Sequence, residues 1–99
     1  MRNLDLTPRA KKFLEGLPPK QFRQVVNKIF SLLEDREPHD SHALAGFPWR
    51  RADVGEYRII YRIDRDTVKI PLVGKRNDDE VYRALERLRW QSAAAPQKP

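Results

Sequence analysis

The chain has no cysteine, two histidines and four glycines in 99 residues. Without cysteine there is no disulfide scaffold, no thiolate zinc site and no thiol nucleophile, and a reducing cytoplasm is the expected compartment. His39 and His42 lie three apart in a polar stretch with no second ligand pair, so they read as solvated loop histidines. His42 is a minor candidate for proton transfer. The scattered glycines (16, 46, 55 and 74) form no phosphate-cradling loop. No apolar run approaches the roughly 20 residues of a membrane span, and Met1-Arg2-Asn3-Leu4-Asp5 lacks the apolar stretch of a signal peptide. Neither a metal nor a cofactor is expected, and no membrane partner.

Charge is what the chain has in abundance. Twenty Lys and Arg face fourteen Asp and Glu, a formal net charge of +6. Acids are interspersed with the bases, so the excess is not a bare basic tail. An anionic partner follows, nucleic acid first, with a merely soluble basic protein as the alternative. The length suits one domain, and 39% hydrophobic residues can fill one modest core. A single domain over residues 1–90 is expected, with 91–99 a disordered tail of small residues and prolines.

Leu4 and Leu6 alternate in a short strand over 2–6. Thr7-Pro8 reads as a helix cap followed by proline in the first turn, and Ala10, Phe13, Leu14 and Leu17 recur on one helical face. Gly16 and Pro18-Pro19 end that helix. A second runs from about Lys20 to Glu34, with Phe22, Val25, Val26, Ile29, Leu32 and Leu33 as its apolar stripe. The short connection predicts an antiparallel helical hairpin. Asp35 to Pro48 reads as a loop.

From Trp49 the period becomes two. A strand is expected over Trp49–Val54, then a hairpin over 57–74 turning at Asp64-Arg65-Asp66. Tyr57, Ile59, Tyr61 and Ile63 share one face; Arg58, Ile60 and Arg62 share the other. Pro71 lacks a ladder donor, which calls for a bulge or an unpaired N–H side. Asn77-Asp78-Asp79-Glu80 opens a last helix with Val81, Ala84, Leu85 and Leu88 on its apolar face. The order is β-α-α-β-β-β-α, an α+β fold with about four antiparallel strands.

Antiparallel pairing brings Arg58, at the start of one hairpin strand, toward Arg76, just past the end of its partner. Arg50 and Arg51 approach from the preceding strand, and Tyr82 follows one turn into the last helix. Guanidinium groups grip phosphate oxygens bidentately and stabilise added negative charge, and a tyrosine can stack on a base or handle a proton. The competing reading pairs these arginines with Asp53, Glu56, Asp64 and Asp66 across strands and places Tyr82 beside Leu85 as a core cap. Phe47 and Trp49, flanking Pro48, form either a stacking platform or a closure of the core at the sheet edge.

Thr7-Pro8-Arg9-Ala10-Lys11-Lys12-Phe13-Leu14, Leu44-Ala45-Gly46, Gly55-Glu56-Tyr57-Arg58-Ile59-Ile60-Tyr61, Gly74-Lys75-Arg76 and Asp79-Glu80-Val81-Tyr82 stand in an order that resembles the RelE/ParE toxin superfamily, more closely its RelE branch. The resemblance spans about residues 4–88. It implies a helical hairpin on a curved antiparallel sheet with a mobile C-terminal helix. It also implies an endoribonuclease that cuts messenger RNA in the ribosomal A site and leaves a 2′,3′-cyclic phosphate. A cognate antitoxin, RelB-like or of another type, is implied as partner, with room for a higher-order assembly. On the family pattern Arg58 contacts the scissile phosphate, Arg76 stabilises the transition state and Tyr82 stacks on the substrate base. Arg51, with Arg50 beside it, matches a basic residue of the preceding strand, and Lys75 and Trp49 join Arg50 as RNA-binding candidates. Near position 53 RelE has a basic residue where this chain has Asp53, so Asp53 and Glu56 are the candidates to accept the 2′-OH proton. ParE-type members poison DNA gyrase and generally lack the arginine–tyrosine set. A gyrase inhibitor and a non-catalytic RNA- or partner-binding module are the alternatives.

Overall fold

The computed structural model describes residues 2–34, 41–44, 48–76, 83–84 and 86–87. Strand β1 (Asn3–Leu6) leads directly into helix α1 (Pro8–Glu15). Thr7 makes this junction: its Oγ1 accepts the Ala10 N–H at 3.1 Å, and Pro8 fills a first-turn position where no N–H is needed. The Thr7 hydroxyl also donates to the Pro71 carbonyl at 2.7 Å, which ties the helix start to the sheet. Helix α2 (Pro19–Glu34) buries Val25, Ile29, Leu32 and Leu33. Phe22, expected on the same stripe, stays 39% exposed. Periodicity identifies a face, not how far along the helix a neighbour covers it.

The remaining strands are β2 (Ser41–Ala43), β3 (Arg50–Val54), β4 (Tyr57–Asp64) and β5 (Thr67–Lys75), in one sheet of order β1-β5-β4-β3-β2. Two features depart from the sequence expectation. Ser41–Ala43 is an edge strand rather than loop, and β1 runs parallel to β5, so the five-stranded sheet is mixed. A three-residue strand carries too little alternation to be seen. Alternation also says nothing about direction when the partner lies some sixty residues away in sequence, as Leu6 and Ile70 do.

Pro71 sits at a register shift. Ile60 pairs with Leu72 but Arg62 pairs with Lys69, so β5 carries one extra residue opposite Tyr61. The shift reverses which face later residues occupy. Val68 and Ile70 lie on the helix side before it, Val73 lies there after it, and Leu72 turns to the other side.

Both faces of the sheet carry an apolar cluster. On one, Ala52, Tyr57, Ile59, Tyr61, Val68, Ile70 and Val73 pack against α1 and α2, with Phe13 edge-on to Tyr57 at 6.0 Å. On the other, Ile60, Leu72 and Ala84 form a smaller cluster with Leu44 and Trp49. Arg83, Ala84, Glu86 and Arg87 are helical, in the stretch expected to form the last helix. The expected tail beyond 91 lies outside the described residues.

Candidate functional site

A two-residue turn, Gly55-Glu56, joins β3 to β4, and Gly55 adopts φ +57, a left-handed conformation that glycine reaches without strain. The turn sets Asp53 directly across from Arg58. Their side chains meet fork to fork, Arg58 Nε donating to Asp53 Oδ1 at 2.7 Å and Nη2 to Oδ2 at 3.2 Å. Arg58 is only 7% exposed, so its charge needs this partner. Arg76 extends past the end of β5 and is held by the same turn. Its N–H donates to the Glu56 carbonyl at 2.8 Å and its Nη1 to the Gly55 carbonyl at 3.2 Å. Its Nε lies 3.9 Å from Asp53 Oδ2, an ion pair rather than a hydrogen bond.

Arg51 completes the group from β3. Arg51 pairs with Ile60, and Asp53 with Arg58, so these residues share the face opposite α1 and α2. Arg58 and Arg76 thus pair with one carboxylate, and Arg51 adds its charge from the same face. Burial pushes the Asp53 carboxyl up, but the hydrogen bond and charge of Arg58, with the charges of Arg51 and Arg76, outweigh it and hold the pKa below the usual carboxylate value. The cross-strand pairing read from sequence as the alternative is therefore present together with the convergence of Arg51, Arg58 and Arg76.

Arg50 and Lys75 lie on the opposite face of the sheet from this group. Arg50 pairs with Tyr61 and Lys75 with Tyr57, both on the helix side of the sheet. The reason is the two-residue period: neighbours in a strand point to opposite faces. Arg50 makes structural contacts there. Its Nε donates to Ser41 Oγ at 3.0 Å and its Nη2 to the Ser41 carbonyl at 3.3 Å, while Ser41 Oγ lies 2.6 Å from the buried Tyr61 hydroxyl. This polar knot fastening β2 to the sheet went unseen in the sequence, because nothing local marks Ser41 as buried.

Trp49 is half-buried and packs against the Ile60–Leu72–Ala84 cluster, with the Arg62 guanidinium 5.0 Å from its ring centroid. Of the two readings of Trp49, closure of the core is the one the packing matches. Glu56 is exposed in the turn, and His42 is exposed on β2 across from Arg51. Tyr82, Phe47 and His39 lie outside the described residues. An open pocket lined by Arg2, Leu33, Glu34 and Asp66 lies at the other end of the β4–β5 hairpin from Arg58. Among the described residues, no three His, Cys, Asp or Glu side chains are grouped to hold a metal ion. No described helix is long and apolar enough to cross a membrane.

The family model for the ParE toxin of the type II toxin–antitoxin system parDE matches residues 4–80, a span that includes Arg51, Asp53, Arg58 and Arg76. No curated protein sequence matches the chain. Among solved structures, the RelBE2 toxin–antitoxin complex of Mycobacterium tuberculosis is 33% identical, covering 76% of this chain and 98% of that one, with a TM-score of 0.64. The isolated RelE toxin of E. coli is 29% identical, covering 89% and 99%, with a TM-score of 0.67. The intact E. coli RelBE complex is 26% identical, covering 79% and 100%, also at 0.67.

Proposed function

The chain belongs to the RelE/ParE superfamily of type II toxins, and from that footing we propose that it is a ribosome-dependent endoribonuclease that cuts messenger RNA in the A site. The observation that carries this reading is the convergence of Arg51, Arg58 and Arg76 on the sheet face away from the helical hairpin. Such a cluster suits a phosphodiester whose phosphorus is attacked by the neighbouring 2′-OH. The new O–P bond forms, the bond to the 5′ oxygen breaks, and a 2′,3′-cyclic phosphate is left. The protein stabilises the charge that builds on the phosphoryl oxygens, a role that guanidinium groups fill. Arg50, Lys75 and Trp49 are proposed to contact the RNA away from this phosphate, Arg50 and Lys75 from the other face of the sheet.

Asp53 and Glu56 remain the groups proposed to accept the 2′-OH proton. They differ in readiness. Asp53 is held ionised by its arginines and is a weak base for that reason, whereas Glu56 stands exposed in the turn beside Arg76. Tyr82 is proposed to stack on the substrate base. A RelB-type antitoxin is the proposed inhibitor, because the M. tuberculosis and E. coli relatives are found in complexes of that kind. The match to the ParE model favours one second reading, inhibition of DNA gyrase.

Cell-free translation and gyrase supercoiling assays, run side by side, separate the two. The proposal expects the purified toxin to stop translation and leave supercoiling intact. Arg76→Ala is expected to keep the fold, since the side chain is half exposed, and to lose about 10²–10³ in rate, as loss of one charge-stabilising donor does. Blocked supercoiling with unaffected translation selects the gyrase reading.

A further inference from the structure

We infer that Asp53 is a built-in stand-in for phosphate: its carboxylate occupies the seat between Arg58 and Arg76 that an RNA phosphodiester takes, and RNA binds by displacing it. The inference rests on the nucleic-acid reading above and adds a competitor within the site. A carboxylate and a phosphate present the same paired oxygens to an arginine fork, and Asp53 already takes two donors of Arg58 at 2.7 and 3.2 Å.

The three partners are not equally free to move. Arg58 is buried, while the side chains of Asp53 and Arg76 are 25% and 49% exposed. Arg58 is thus the fixed wall of the seat, and the exchange is a rotation of Asp53 out of it. Arg51 shares the face, and its Nε is buried without a hydrogen-bond partner, a donor that the carboxylate does not use. In the free toxin the Arg58 charge is already cancelled, so binding RNA trades one anion for another.

This predicts two linked changes. The probe is a short single-stranded RNA with 2′-O-methyl groups throughout, which binds but cannot be cut. Asp53→Asn should bind it about tenfold more tightly, and the log–log salt slope should steepen by about 0.7, the increment for one further phosphate neutralised on a single strand. Asp64→Asn is the control, because it removes the same charge from a carboxylate paired with Lys69, away from the cluster. Weaker or unchanged binding by Asp53→Asn overturns the inference, and so does equal tightening by Asp64→Asn, which makes the effect one of net charge. Should Asp53→Asn fail to fold, the unmodified protein decides. The Arg58 Nε–H resonance must shift as RNA is added, and an unmoved resonance at saturation overturns the inference. The parent protein in the same assay separates the two levels. If it binds the RNA no more tightly at low salt than at moderate salt, the nucleic-acid reading falls and this inference with it. If the parent binds with the expected salt dependence while Asp53→Asn gains nothing, only the inference falls.

Discussion

Asp53 ties the site to the stability of the sheet. A carboxylate whose folded pKa lies below its ordinary value of 3.8 contributes stability that is complete above the unfolded pKa and disappears as pH falls through the folded one. Asp53→Asn should therefore melt at a lower temperature than the parent at neutral pH, with the gap closing below about pH 4 as the parent carboxyl protonates. Thermal melts of both proteins between neutral pH and pH 3 check this, and a constant gap contradicts it. The comparison isolates Asp53 from Asp64, which is also held low, chiefly by the hydrogen bond from Lys69. At this scale the sequence was legible in part. Arg51, Arg58 and Arg76 follow from a two-residue period and a hairpin, which need only local pattern. That Arg58 faces an acid rather than open solvent depends on the Gly55-Glu56 turn fixing which residue lies across from it.

Thr7 is the hinge between two elements and makes the packing of α1 on the sheet specific. Its hydroxyl caps the helix and donates to the carbonyl of Pro71 at the bulge. Thr7→Ala should cost about 1–2 kcal/mol, since both a cap and a partly buried hydrogen bond are lost. Urea unfolding should show the midpoint falling with an unchanged slope; an unchanged midpoint contradicts the role. The cap and the proline-led helix start were readable from residue type, because each is a local rule; at Pro71 residue type left a bulge or an unpaired N–H side open, and the register shift decides for the bulge. The parallel partner of β1 and the edge strand β2 were not. The first is a pairing across the whole chain. The second is a three-residue element fastened by Ser41, Arg50 and Tyr61, whose meeting depends on tertiary register.

Over the whole molecule, the two sheet faces divide the labour. One is filled by the α1–α2 hairpin and carries most of the core. Among the described residues, the other holds the smaller Ile60–Leu72–Ala84 cluster with Leu44 and Trp49, and Arg51, Arg58 and Arg76 stand at its end near the Gly55-Glu56 turn. On the proposed reading, the chain's net charge of +6 draws a polyanion to the molecule and the cluster is where its phosphate is gripped. The most direct measurement is to map the ends of a ribosome-bound messenger RNA after exposure to the purified toxin. Primer extension locates the cut, and treatment with a cyclic-phosphate-opening enzyme identifies its 3′ end. The account predicts cleavage confined to the A-site codon, ending in a 2′,3′-cyclic phosphate, present with the parent and reduced about 10²–10³-fold with Arg76→Ala. An intact message on toxin-treated ribosomes, or cuts unaffected by Arg76→Ala, contradicts it.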